Sequence, residues 1–144
     1  IVLLSCVYAV VLYGTSVRDN DRVPILLTKV IDGDTIEIES GEQIRYIGID
    51  TPEINQPYAD QATEMNKQLL YGKSIYLERD ILYKDRYNRI LGYIWVDGIM
   101  INDLLVKEGY AKTLTIRPDI KYMYRFNHSE NYARIHNLGM WKGY

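Results

Sequence analysis

Apolar and polar residues alternate strictly over 35–39, where Ile36 and Ile38 sit between Thr35, Glu37 and Glu39. That period of two marks a strand with one wet face. Similar β-favouring runs occupy 25–31 and 43–49, and Asp32-Gly33-Asp34 and Ser40-Gly41 supply turn chemistry between the three. Over 58–70 the period changes, with Ala62, Met65 and Leu69 at helical spacing and Gly72 as a stop. A strand returns over 73–80. ILGYIWV and IMI, joined by Asp97-Gly98, then predict a hairpin. Asn102 is placed to cap a short helix, DLLVKE, which Gly109 ends. After Pro118 a last helix is predicted from about 121 to 138, with Gly139 as its stop. The order β-β-β-α-β-β-α, a short strand, then α predicts an α+β fold: a five-stranded OB-type barrel with three helices.

The 144 residues suffice for one domain with its own core. Residues 1–13 carry no charge and fall short of the ~20 residues of a membrane span, but they fit a signal-peptide apolar region. The expected organisation is an export signal or membrane tether with a polar linker at 17–23, then a domain over 23–144. The expected location is secreted or membrane-anchored, outside the cytoplasm. Cys6 is the single cysteine, so no internal disulfide framework exists. A monomer is expected.

A net charge of −2 does not advertise a nucleic-acid surface, but the distribution is uneven. Residues 31–64 hold nine acids and one base, whereas 105–144 hold seven bases and three acids. An acidic half beside a basic tail is consistent with a cation site facing a phosphate-tolerant surface. Fourteen tyrosines against one phenylalanine would serve a core, an interface or base stacking equally well.

Three groups of residues could carry chemistry. Asp32 and Asp34 flank Gly33, which lets a turn aim oxygens at one point as hard cations require; a plain hairpin turn also accounts for them. Asp50, Thr51 and Glu53 crowd a strand end that Pro52 terminates, and no Cys/His cluster offers a zinc site instead. Arg45 and Arg89 carry the planar fork that matches phosphate oxygens. Arg45 and Asp50 differ by five, so strict alternation sends them to opposite faces, and a bend near Gly48 is required to unite them. His128 and His136 fall on the last helix and read as structural, and Trp95 and Trp141 as core.

KVIDGDT at 29–35, IRYIGIDTPE at 44–53, DRYNR at 85–89 and NDLLVKEGYAK at 102–112 together resemble the staphylococcal nuclease (thermonuclease) family, over about 25–141. The resemblance implies a Ca²⁺-dependent phosphodiesterase that cuts DNA and RNA with little sequence preference and leaves 3′-phosphates. It implies calcium held by Asp34, Asp50 and the main-chain carbonyl of Thr51, with Asp32 outside that shell. Glu53 would activate water, and Arg45 and Arg89 would clamp the phosphate. Tyr87 is a candidate substrate contact. The chain departs from the family in its short, lysine-free INQPY segment, in Arg86 and Asn88 of DRYNR, and in TLTIRPD, which lacks the tyrosines that stack on a nucleotide. The residue types fit the reaction independently, because an anionic diester repels hydroxide until cations offset its charge. The rival expectation is a catalytically silent OB-type domain that only binds nucleic acid. Retention of all five of Asp34, Arg45, Asp50, Glu53 and Arg89 argues against it. A calcium-binding interaction domain would leave two arginines beside the acids unexplained.

Overall fold

Short β-favouring runs broken by Gly and Asp turns produce nine strands in the computed structural model, which describes residues 21–143. They are Arg22–Ile25 (β1), Leu27–Val30 (β2), Thr35–Ile38 (β3), Gln43–Tyr46 (β4), Ile49–Asp50 (β5), Ile75–Glu78 (β6), Ile90–Val96 (β7), Ile99–Met100 (β8) and Lys112–Thr113 (β9). Three α-helices join them, Ala59–Leu70 (α1), Ile101–Lys107 (α2) and Met123–Ile135 (α3), followed by a 3-10 turn at Gly139–Trp141.

The main sheet runs β1-β6-β7-β4-β3-β2. Its two outer members are consecutive pieces of one bent strand, with only Leu26 between them. β1 pairs antiparallel with β6 (Arg22 opposite Glu78), while β2 pairs antiparallel with β3 after a register shift between Leu27 and Lys29. One bent strand thus joins both ends of the sheet, giving the OB-type barrel expected from the strand count. The parallel pair β4–β7, with Ile44 opposite Ile90, completes the circuit. The α+β reading holds, with α1, α2 and α3 outside the barrel.

Three details differ from expectation. Strand pairing starts at Arg22, inside the stretch read as linker, because its guanidinium lies 3.4 Å from the centroid of the Trp95 ring and 3.7 Å from buried Glu78. Asn102 is not a cap. It is fully buried in α2, where its Oδ1 accepts from the Ile94 amide (2.9 Å) and its amide donates to the Ile47 carbonyl (2.9 Å), serving backbone groups that the barrel leaves unpaired. The last helix stops at Ile135, since Asn137 turns the chain at φ 52°.

The core gathers Ile36, Ile44, Ile49, Ile94, Met100, Leu105 and Val106, and both tryptophans are buried as expected. Tyrosine replaces phenylalanine in this core because each phenol has a polar neighbour. Tyr46 donates to Asn66 (2.9 Å), Tyr93 to Asp80 (2.6 Å) and Tyr122 to Glu78 (2.9 Å). Lys121 also reaches the buried Glu78 carboxylate. Residues 1–13, read as a leader or tether, lie outside the described residues. Among the described residues no helix is long and apolar enough to cross a membrane.

Candidate active site

The β2–β3 turn is built to present a carboxylate. Asp32 Oδ1 accepts the Asp34 amide at 3.0 Å, and Asn66 on α1 donates to the Asp32 carbonyl at 3.0 Å, tying the helix to the turn. A side chain at Gly33 would come within 2.8 Å of the Thr51 side chain, so glycine is what allows the turn to approach the β5 end. Asp34 is buried there. Its Oδ2 accepts from the Thr51 amide (2.7 Å) and hydroxyl (2.9 Å), and its Oδ1 lies 3.3 Å from Arg45 Nε. The plain hairpin alternative therefore fails for Asp34. Burial, then the charge of Asp34, pushes the Asp32 carboxyl above the usual aspartate range.

Arg45 and Asp50 meet because the chain bends between β4 and β5, as their spacing requires. Gly48 takes φ 80°, and any side chain there would run into the Phe126 ring. Arg45 spans the bend. Its NH1 donates to the carbonyls of Tyr46 (2.7 Å) and Ile49 (2.9 Å), and its NH2 to Asp50 Oδ1 (2.9 Å). Burial raises the Asp50 carboxyl above its ordinary range. Arg45 offsets part of that, while Asp34 and Glu53 add to it by repulsion.

Arg89 is displayed by a small closed loop. Asp85 accepts from the amides of Tyr87 (2.9 Å) and Arg89 (3.0 Å) and from Arg89 Nε (2.8 Å). Although burial pushes Asp85 up, these bonds hold it below the usual carboxylate range. Asn88 closes the loop at φ 65°, a left-handed position asparagine tolerates. Among the described residues the terminal nitrogens of Arg89 meet no protein acceptor, unlike those of Arg45.

Asp32, Asp34, Arg45, Thr51, Glu53 and Arg89 line one cavity of about 430 Å³. Asp50 does not line this cavity, although it is bound to Arg45, which does. Glu53 is positioned by a tight turn in which its amide donates to Gln56 Oε1 (2.9 Å) and Gln56 returns its amide to the Glu53 carbonyl (2.9 Å). Tyr87, 64% exposed, lines a second cavity of about 460 Å³ that shares Arg45 and Arg89 with the first. Leu82, Leu91, Leu114 and Ile116 wall this second cavity, so aliphatic side chains occupy the TLTIRPD positions where aromatics were missed. The sequence reading overlooked Asp60 and Thr63, which also line the first cavity. Their spacing of three on the α1 pattern was the available signal. His128 and His136 line neither cavity, and His136 stacks on Tyr132 with ring centroids 4.0 Å apart.

Whether a cation suits this cavity can be judged from its donors. Among the described residues no group of three or more His, Cys, Asp and Glu side chains converges on one point. Two carboxylates, Asp34 and Asp50, do share Arg45, and the backbone of Thr51 lies beside Asp34. An all-oxygen set completed by water suits Ca²⁺ or Mg²⁺ rather than zinc.

The family described as staphylococcal nuclease homologue matches residues 43–143. A thermonuclease of Staphylococcus hyicus is 38% identical over 122 residues, which cover 78% of this chain and 72% of that protein. Endonuclease YncB of Bacillus subtilis (strain 168) is 36% identical over 141 residues, covering 89% of this chain and 67% of that protein. An SPbeta prophage-derived endonuclease of the same organism, YokF, is 35% identical over 132 residues; these cover 84% of this chain but 45% of YokF.

Proposed function

The chain belongs to the staphylococcal nuclease family, and from that premise we propose that its cavity hydrolyses phosphodiester bonds of DNA and RNA in a Ca²⁺-dependent reaction that leaves 3′-phosphates. One observation carries the reading: two arginines, Glu53 and the acidic turn line a single cavity from four separate stretches of sequence. Asp34, Asp50 and the main-chain oxygen of Thr51 would hold the calcium ion, with Asp32 shaping the turn behind them. When bound, the ion offsets the negative charge of the diester and of the incoming oxygen.

The protein's own residues do the rest. Arg45 and Arg89 grip the non-bridging oxygens, and Arg89, whose terminal nitrogens meet no acceptor among the described residues, also supports charge on the leaving 5′-oxygen. Glu53 takes a proton from water as its oxygen attacks phosphorus. The phosphorus–O5′ bond breaks, the 5′-oxygen takes a proton from solvent water, and phosphate stays on the 3′-oxygen of the other fragment. The apolar cavity beside Arg89 receives the leaving nucleoside, with Tyr87 at its rim. Arg45 is already committed to the Tyr46 and Ile49 carbonyls, which fixes its direction before substrate arrives.

Digestion of plasmid and single-stranded DNA by the full chain, with Ca²⁺ or a chelator, tests the reading. Cutting that requires Ca²⁺ and collapses in Glu53→Gln is expected. Tight DNA binding without cutting under either condition would leave a binding module instead.

A further inference from the structure

A third cavity, of about 460 Å³, adjoins the first at Thr51 and Pro52 and reaches Asp50 from the opposite side. Its wall is chemically unlike the apolar cavity. Tyr58, Gln56, Lys112 and Lys142 surround it, and Met140 and Trp141 complete it. Lys112 stands directly opposite Asp50 in the β5–β9 register. The indole of Trp141 is buried under the Arg134 guanidinium, 3.9 Å from the ring centroid, so Trp141 is a wall rather than a contact. Tyr58 is held at φ 70° ahead of α1, a conformation an L-residue adopts at a cost. No side chain caps that helix, and the Tyr58 carbonyl accepts the Ala62 amide at 2.9 Å as its first bond.

We propose that this cavity is a second nucleotide subsite, taking the part of a single strand that keeps the 3′-phosphate after cleavage. The inference rests on the nuclease reading for its polarity, since Arg89 and the apolar cavity hold the leaving nucleoside. The three cavities are contiguous: apolar through Arg45 and Arg89 to the acidic centre, and on through Thr51 and Pro52 to the lysines. A strand laid along them meets a phosphate grip on each side of the scissile bond. Tyr58 offers a face for a base, and Lys112 and Lys142 meet the next phosphates. The uneven charge of the sequence acquires a role here, as the basic tail supplies cations to the rim of the acidic half. Two-sided grip favours cutting inside a strand over release of single nucleotides.

The test titrates the full chain into fluorescein-labelled dT12 in chelator, where nothing is cut, with thymidine 5′-monophosphate as the ligand for the apolar cavity alone. Tyr58→Leu is expected to weaken dT12 binding about tenfold and Tyr58→Phe to preserve it, the pattern of base stacking. Lys142→Ala is expected to lower the slope of log K against log salt by about 0.7, one phosphate contact on a single strand. Binding of the monophosphate should not change in any variant. Unaltered dT12 binding in Tyr58→Leu and Lys142→Ala, equal weakening of both ligands, or no dT12 binding by the parent chain would each overturn the subsite. If the expected pattern appears but Ca²⁺ elicits no cutting, the catalytic reading fails while the subsite stands.

Discussion

Arg45→Lys keeps the charge and removes the fork, which makes it the sharpest perturbation of this site. In the parent chain the guanidinium bonds to two carbonyls of the β4–β5 bend and to Asp50, at 2.7–2.9 Å, and lies 3.3 Å from buried Asp34. A lysine ammonium is a single point that can serve the carbonyl pair or the carboxylate pair, not both. Losing one or two charge-assisted bonds, at ~1.5–3 kcal/mol each, should cost about 2–4 kcal/mol of unfolding free energy. That is a large part of the ~5–15 kcal/mol typical of a domain. Activity should fall further, by ~10²–10³, because a donor aimed at developing charge is lost as well. Urea unfolding without Ca²⁺ gives the first number, and turnover of single-stranded DNA at saturating Ca²⁺ gives the second. A variant that unfolds at the parent's urea midpoint and retains activity within threefold would refute the claim that the fork, rather than the charge, organises the site.

The remaining predictions concern the bend, the cation and the Arg89 loop. Gly48→Ala should cost about 2–4 kcal/mol, from the left-handed φ and the displaced Phe126 ring, and its thermal midpoint should drop accordingly. Ca²⁺ at a hundredfold excess over its dissociation constant should stabilise the chain by about 2.7 kcal/mol in calorimetry. Asp50→Asn should abolish that gain, whereas Glu53→Gln should retain it. Asp85 has a folded pKa below its ordinary value, so its contribution to stability is present above pH ~4 and is lost as pH falls through the depressed value. The difference in urea midpoint between the parent and Asp85→Asn should therefore shrink from pH 5 toward pH 2, and a constant difference would contradict the assigned bonds.

The alternation of Ile36 and Ile38, the Asp-Gly turns and the spacing of Ala62, Met65 and Leu69 are local signals, and the elements they predict are present. The ends moved where a side chain found a distant partner. Arg22 joined the barrel through Trp95 and Glu78, and Asn102 left its expected capping role to serve the Ile94 amide and the Ile47 carbonyl. Asp34, Arg45, Glu53 and Arg89 were legible as a set through motif resemblance and their residue types. The Arg45–Asp50 contact required a bend that Gly48 announced but could not aim. Asp60 and Thr63 were missed because a helix pattern tells which residues share a face, not what that face covers.

By itself the sequence determined the strands, the helices and the residue types able to hold a phosphate and a cation, because these depend on neighbours a few positions apart. Tertiary structure alone decided that Asp34 lies against Thr51, that Arg45 spans a bend, and that Tyr58 and Lys142 border the acidic centre. Asp34 and Thr51 are 17 positions apart, and Tyr58 and Lys142, which line one cavity, are 84 apart; such approaches form only when burial of one shared core selects a single closure of the barrel.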